Sequence, residues 1–130
     1  MKQRELKFRA LNQFGHMEYG VQSILAYTTH NLPVMQYIGL KDKNGNDIYE
    51  GDIIGFDEFD YDERKEYVDY YVVEFGRTRD VRYGYYLKTN STQKVFYDEF
   101  SKGIVRGNIY ENKELLGVSA VAVTPNELQK

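Results

Sequence analysis

Asp42-Lys43-Asn44-Gly45-Asn46 places oxygen-bearing side chains at alternate positions, the opening rhythm of a calcium loop. An EF-hand loop needs oxygen ligands at its positions 1, 3 and 5, glycine at 6 and a bidentate glutamate at 12. Counted from Asp42, the sixth residue is Asp47 and the twelfth is Ile53, which cannot bind a hard cation. The flanks are β-rich rather than helical, so the calcium reading fails. Asn44-Gly45 then reads as the tip of a hairpin, expected as a tight two-residue turn with positive φ at both central residues.

Other clusters fare no better as catalytic sites. Glu111-Asn112-Lys113 with Asp98 upstream resembles an acid-acid-lysine metal nuclease pattern, in which carboxylates hold the metal. A charged helix start explains the tripeptide equally well. A carboxylate-dependent metal enzyme would need several of Asp52, Asp57, Asp98 and Glu111 to converge on one concave site. His16 and His30, the two imidazoles, make neither a zinc site nor a Ser-His-Asp arrangement. Gly51 and Gly55 lack the lysine and the strand-to-helix context of a phosphate loop. The chain has no cysteine, which removes disulfides, thiolate metal sites and cysteine nucleophiles. No coherent catalytic set emerges; the expectation is a non-enzymatic protein with no cofactor.

Two charged regions suggest binding instead. Arg77, Arg79, Arg82 and Lys88 interleave with Tyr83, Tyr85 and Tyr86, a pattern that could stack on and neutralise single-stranded nucleic acid. A solvent-facing strand pair with half-buried tyrosines explains the same residues, and the net charge of −3 announces no basic field. Residues 57–69 carry Asp57, Glu58, Asp60, Asp62, Glu63, Glu66 and Asp69 against Arg64 and Lys65. The plain reading is an exposed, self-repelling acidic loop. The sharper readings are a divalent-cation site and an acidic decoy that mimics a phosphate backbone and occupies a DNA-binding partner.

The elements that must position these residues are mostly strands. Leu6, Phe8 and Ala10 alternate with Lys7 and Arg9, a period of two, and Asn12-Gln13-Phe14-Gly15 reads as a turn. Residues 19–32 fit either a strand or a short helix, with a boundary near Leu32 because Pro33 restricts it to extended geometry. Met35–Leu40 and Asp47–Phe56 read as strands, the second containing Gly51 and Gly55 as bends. Tyr67–Phe75, Val81–Lys88, Lys94–Phe100 and Ile104–Tyr110 follow, then a short helix over Glu111–Leu116 and a tail over 118–130. Thirteen tyrosines suit half-buried strand positions. Closely spaced strands with turn signals between them argue for a small barrel or sandwich. The 130 residues suit one domain: a strand region over 1–34, a barrel core over 35–117 containing the acidic loop, and the tail. Residues 1–7 lack the apolar core of a signal peptide. The uncharged window 19–40 is too polar to span a membrane. A soluble protein is expected.

Met35-Gln36-Tyr37-Ile38-Gly39-Leu40-Lys41-Asp42-Lys43-Asn44-Gly45, continued by Ile48-Tyr49-Glu50-Gly51-Asp52-Ile53, resembles the signature of the YopX-like proteins of bacteriophages and prophages. Gly107-Asn108-Ile109-Tyr110-Glu111-Asn112 followed by Glu114-Leu115-Leu116, and the opening Lys7-Phe8-Arg9-Ala10, agree in order. Leu11 stands where the family commonly has an aromatic, and Lys113 where it has proline. The resemblance implies a phage-derived protein of the bacterial host cytoplasm with a small SH3-like β-barrel core and additional α+β elements, self-associating as a homo-oligomer with a possible host or phage protein partner. It carries no catalytic residues over. Gly39, Asn44, Gly45, Glu50, Gly51, Asp52, Gly107, Asn108 and Tyr110 are expected to be architectural.

Overall fold

The computed structural model describes residues 5–20, 24–89, 92–95 and 97–118. In chain order the elements are β1 (Phe8–Leu11), β2 (Met17–Tyr19), α1 (Ile24–Thr29), β3 (Val34–Lys41), β4 (Asp47–Tyr49), β5 (Asp52–Asp60), β6 (Lys65–Arg77), β7 (Tyr83–Lys88), β8 (Gln93–Lys94), α2 (Tyr97–Phe100), β9 (Ile104–Asn108) and a 3-10 helix (Lys113–Val118). They build two antiparallel sheets, ordered β2-β1-β3-β4 and β8-β7-β6-β5-β9. The protein is mainly β, and the expected small barrel is present as a sheet curled into a half-barrel with a few short helices.

Period-two alternation puts the core on one face of the larger sheet. Tyr71 and Val73 of β6 lie beside Tyr85 and Leu87 of β7, in the register Val73 to Leu87 and Phe75 to Tyr85. Ile54 and Phe56 of β5 join them. Ile38 and Ile48 of the smaller sheet and Phe100 of α2 close over this face. Leu87, Ile54, Ile48 and Phe100 are fully buried, each worth about 1.5–3 kcal/mol of transfer free energy.

Of the ambiguous stretch, Tyr19 ends β2 and Ile24–Thr29 forms a helix, α1. Asn31 takes a left-handed φ of 60°, and Leu32 N–H donates back to Tyr27 O at 2.9 Å. This closes the helix as a Schellman motif just before Pro33.

Several expectations need correction. Asp47–Phe56 is not one strand: the chain breaks at Glu50-Gly51, leaving β4 in the smaller sheet and sending β5 into the larger. Residues 57–69 are not a loop. Phe56–Asp60 pairs residue for residue with Lys65–Asp69, so the acidic stretch is the distal half of the β5–β6 hairpin. Its carboxylates project from strands held together by that ladder, which offsets their repulsion. Lys94–Phe100 yields a two-residue strand and then α2, because Phe100 must turn inward to cap the core. The late strand stops at Asn108, and the helical turn after it starts at Lys113. The tail over 119–130 lies outside the described residues.

The Asn44-Gly45 hairpin forms, but as a three-residue loop rather than a two-residue one. Positive φ occurs at Gly45 (84°) and not at Asn44. Asp42 N–H donates to Asn46 O at 2.8 Å, and Gly45 N–H donates to Asp42 O at 3.0 Å. This is a tight turn followed by a left-handed residue. The buried Asp42 carboxylate fills the loop, accepting the N–H groups of Asn44 and Asn46 and, from across the structure, that of Val105 at 2.9 Å. The spacing that resembled a calcium loop therefore serves backbone donors. Asn12–His16 repeats the design, with Gly15 at the left-handed place. Thr78–Arg82 repeats it again, with Val81 (φ 66°) standing where the others have glycine.

Candidate functional site

Arg9 and Ala10 are both buried, although alternation along β1 places them on opposite faces. β1 lies between β2 and β3, and Arg9 faces the bend between β4 and β5. Its Nη1 meets Asp52 Oδ1 at 2.8 Å, with both side chains only 2% exposed. Nη2 donates to Glu50 O at 3.1 Å, and the guanidinium lies 4.9 Å from the centre of the Tyr49 ring. Asp52 Oδ2 accepts Tyr49 N–H at 2.8 Å. Burial pushes the Asp52 carboxyl up to about 6, against the opposing pull of Arg9 and the Tyr49 N–H. Arg9 Nε is buried without a hydrogen-bond partner. A shallow recess of about 330 Å³ opens beside the pair, walled by Tyr19, Asn46, Asp47 and Tyr49.

The neighbouring residues of the bend bind two further strands and the residue that follows β9. Glu50 exchanges hydrogen bonds with Gln36 of β3, its own N–H donating to Gln36 O and its carboxylate accepting Gln36 N–H at 2.8 Å. Gly51 N–H donates to Val73 O, and Gly51 O accepts Ile109 N–H, each at 2.9 Å. Gly51 does this at φ 84°, with Met35 and Ile109 packed against the space a side chain would need. Glu50-Gly51-Asp52 is thus a junction between sheets, each residue serving a different partner.

The late motif is built in the same way. Asn108 Oδ1 accepts the N–H groups of Tyr110 and Glu111, while the Asn112 side chain occupies the space beside Gly107, within 2.3 Å of where a β-carbon would stand. Tyr110 is partly exposed. Gly39 (φ 89°) sits in β3 where its register against β4 shifts.

The carboxylates weighed for metal chemistry do not meet. Among the described residues no three His, Asp or Glu side chains are placed to hold an ion together. Asp52 is buried on Arg9, Asp57 is exposed on β5, and Asp98 lies near Lys102 at 3.8 Å on α2. Glu111 accepts the Asn108 amide at 2.8 Å.

The basic and aromatic residues divide. Arg77 and Arg79 are exposed and make no ion pair among the described residues. Arg82 is held by Asp80, which it grips through Nε at 2.9 Å and through Nη2. Tyr83 is 76% exposed, whereas Tyr85 is buried edge-on beneath Phe75, their ring centres 5.1 Å apart. Phe75 and Tyr97, which the sequence reading did not single out, are more than half exposed at the same end of the sheet. Tyr83, Tyr97, Val95 and Arg82 line a recess of about 300 Å³ there. Phe75 continues the alternation of Tyr71 and Val73, but beyond the point where the smaller sheet covers that face.

At the opposite end of β6 the hairpin exposes Asp57, Glu58, Asp62, Glu63 and Glu66 around a ring pair, Phe59 and Tyr61, whose centres are 4.9 Å apart.

The geometry defines a class: a small, mainly β protein of two sheets, locked by a buried ion pair and a glycine bend, with the ends of the larger sheet left exposed. The chain belongs to the YopX family, whose model, described as YopX protein, matches residues 3–117. The fold is similar to the crystal structure of protein EF1440 from Enterococcus faecalis, with a TM-score of 0.55 and 23% identity, covering 88% of this chain and 99% of that one. No curated protein matches the sequence. Among the described residues no helix is long and apolar enough to cross a membrane.

Proposed function

We propose that the protein is a non-enzymatic accessory protein that acts by binding, as a homo-oligomer, through the exposed ends of its larger sheet. The observation that supports this most is the placement of large aromatic side chains in solvent at both ends: Phe75, Tyr83 and Tyr97 at one, Phe59 and Tyr61 at the other. Clustered exposed aromatics mark interaction surfaces more than they mark isolated domains. The conspicuous motif residues are meanwhile occupied with holding the sheets together. A phage or prophage setting in the bacterial cytoplasm, with a host or phage protein as further partner, belongs to the same proposal and rests on the family resemblance. Light scattering tests the oligomer: a mass above that of one chain at micromolar concentration is expected, and a monomer throughout rejects it.

A second reading keeps Arg77, Arg79 and Tyr83, with Tyr97, as a single-stranded nucleic-acid surface, favoured by the two exposed arginines that make no ion pair among the described residues. Electrophoretic shift with a single-stranded oligonucleotide at rising salt separates the two. Binding that weakens with salt supports this reading; its absence at low salt removes it. Capture of a host DNA-binding protein without direct binding would favour the acidic decoy on the hairpin instead.

A further inference from the structure

The apex of the β5–β6 hairpin is built to hold one ring outward. Asp60 Oδ1 accepts the N–H groups of Asp62 at 2.9 Å and Glu63 at 3.2 Å, which closes the turn on itself. Tyr61 stands at this apex, 83% exposed, with its ring packed edge-on against Phe59. Asp62 and Glu63 follow it in the turn. Asp57 shares the strand face of Phe59, and Glu66 lies directly across the ladder from it. The result is an ordered aromatic knob ringed by carboxylates. A side chain already held in place loses little freedom when it binds.

The recess at the other end of β6 has the complementary character. Tyr83 and Tyr97 wall it together with Val95 and Gly84. A β-carbon at Gly84 would stand 3.4 Å from the Tyr97 hydroxyl, so glycine there leaves room beneath that side chain. The volume of about 300 Å³ lies at the small end of the range for ligand pockets, roughly 300–1,000 Å³, and suits one ring rather than a larger molecule. Arg77 lies directly across the ladder from Tyr83, and Arg79 follows in the loop; both are exposed and make no ion pair among the described residues. Rings and guanidinium groups thus stand at one end of the molecule, and a ring among carboxylates at the other. Aromatic edge-to-face contacts and charge attraction both favour bringing the two together. One chain cannot do this alone: β6 has 13 residues, and at about 3.3 Å each they separate the two ends by about 40 Å.

We infer that the recess between Tyr83 and Tyr97 takes the Tyr61 knob of a second copy of this chain, with Asp62 and Glu63 of that copy meeting Arg77 and Arg79. The inference rests on the homo-oligomer reading above and specifies its contact. Like ends do not combine, because tip against tip sets carboxylate on carboxylate, and recess against recess sets arginine on arginine. Each copy offers one knob and one recess, so the contact is heterologous: it closes as a ring or continues as a filament, and it does not stop at a two-fold dimer.

The test uses two variants of the full chain, read by sedimentation velocity at micromolar concentration. The tip variant carries Tyr61→Ser and Glu63→Gln; the recess variant carries Tyr83→Ser and Arg79→Gln. All four positions are exposed, and circular dichroism checks that each variant is folded. Wild type is expected to oligomerise and to dissociate as salt rises. Each variant alone is expected to sediment as a monomer. An equal mixture is expected to form a one-to-one dimer and nothing larger, since only one intact knob and one intact recess can meet. If wild type is an oligomer and either folded variant alone remains one, self-association stands and this contact is wrong. A mixture that stays monomeric also overturns it. Photo-oxidative tyrosine crosslinking of the unsubstituted chain gives a second measurement. The crosslinked dimer is expected to join Tyr61 to Tyr83 or Tyr97, and a dimer joined only through other tyrosines overturns the inference. A monomeric wild type removes both the contact and the reading beneath it, and assigns the tip and the recess to partners other than this chain.

Discussion

Removing the guanidinium of Arg9 leaves the Asp52 carboxylate buried beside little more than the Tyr49 N–H. Breaking one half of such a pair is far costlier than replacing both halves. Arg9→Met is expected to lower unfolding stability by about 3–5 kcal/mol, and Arg9→Met with Asp52→Leu to recover most of that loss. Urea midpoints of the three chains decide it; a double variant no better than the single would mean that the ion pair itself, not the stranded charge, sets the stability. The same carboxyl predicts a pH dependence. Asp52 titrates at about 6 in the fold against 3.8 outside it, so the native state holds the extra proton between these values. Stability contributed by this group is present in full below about pH 4 and declines as pH rises to about 6, by on the order of 3 kcal/mol. Asp42 and Asp47 act in the opposite sense. Burial works to raise Asp42, but the N–H groups of Val105, Asn46 and Asn44 outweigh it, and Lys41 and Lys7 hold Asp47 low. Their contribution is lost as pH falls below the ordinary carboxylate range. Asp52→Asn should therefore flatten the stability profile between pH 4 and 6 while leaving the acid limb intact.

The elements differ in how openly the sequence announces them. Alternation marked β1, and runs rich in β-branched and aromatic residues marked β3, β6 and β7, because such side chains suit a pleated, half-buried surface. Asn44-Gly45 marked a hairpin, though the loop is longer by a residue, since Asp42 supplies the acceptors that hold the wider turn. The division of β4 from β5 was not legible: Ile48 to Phe56 is apolar enough for one strand, and nothing local states that Gly51 will bond to Val73 and Ile109. α2 is too short to display a helical period. Arg9 was hidden because a basic residue alternating with apolar ones reads as solvent-facing until its partner, far along the chain, is known. Tyr83, Arg77 and Arg79 were visible as a basic-aromatic group, but Tyr85 was not separable from them, because which tyrosine of a strand faces inward depends on what covers it. The third hairpin loop offers a test at this scale. Val81 is β-branched, exposed and left-handed, at the place where its two counterparts have glycine. Such a backbone is strained. Val81→Gly is expected to stabilise by about 1 kcal/mol, with relief of strain exceeding the entropy that glycine adds to the unfolded chain. Thermal melts of the two proteins compare it directly, and a lower melting temperature for the variant would refute it.

Across the whole molecule, a net charge of −3 conceals a strong separation. β6 runs from the acidic hairpin tip to the arginine end, so one strand connects regions of opposite sign. Its two halves also differ in support: Val73 lies between β5 and β7 in the core, while among the described residues Lys65–Asp69 has β5 alone for a strand neighbour. Amide hydrogen exchange should reflect this. Amides at Val73 and Leu87 are expected to exchange only with global unfolding, and those at Phe59 and Glu66 by local opening that slows as salt screens the carboxylates. Equal protection along β6 would contradict the picture.

The Gly51 junction has a bearing on how the protein is made. Its backbone bonds draw on Val73 and on Ile109, and its neighbour Asp52 draws on Arg9. Each closes a long loop, and long loops close late in folding. A ribosome that has delivered both complete hairpins of the N-terminal half still holds an incomplete junction. Its last bond, from Ile109 N–H to Gly51 O, forms only after Ile109 has been synthesised, so the junction is finished by a residue outside the buried core cluster.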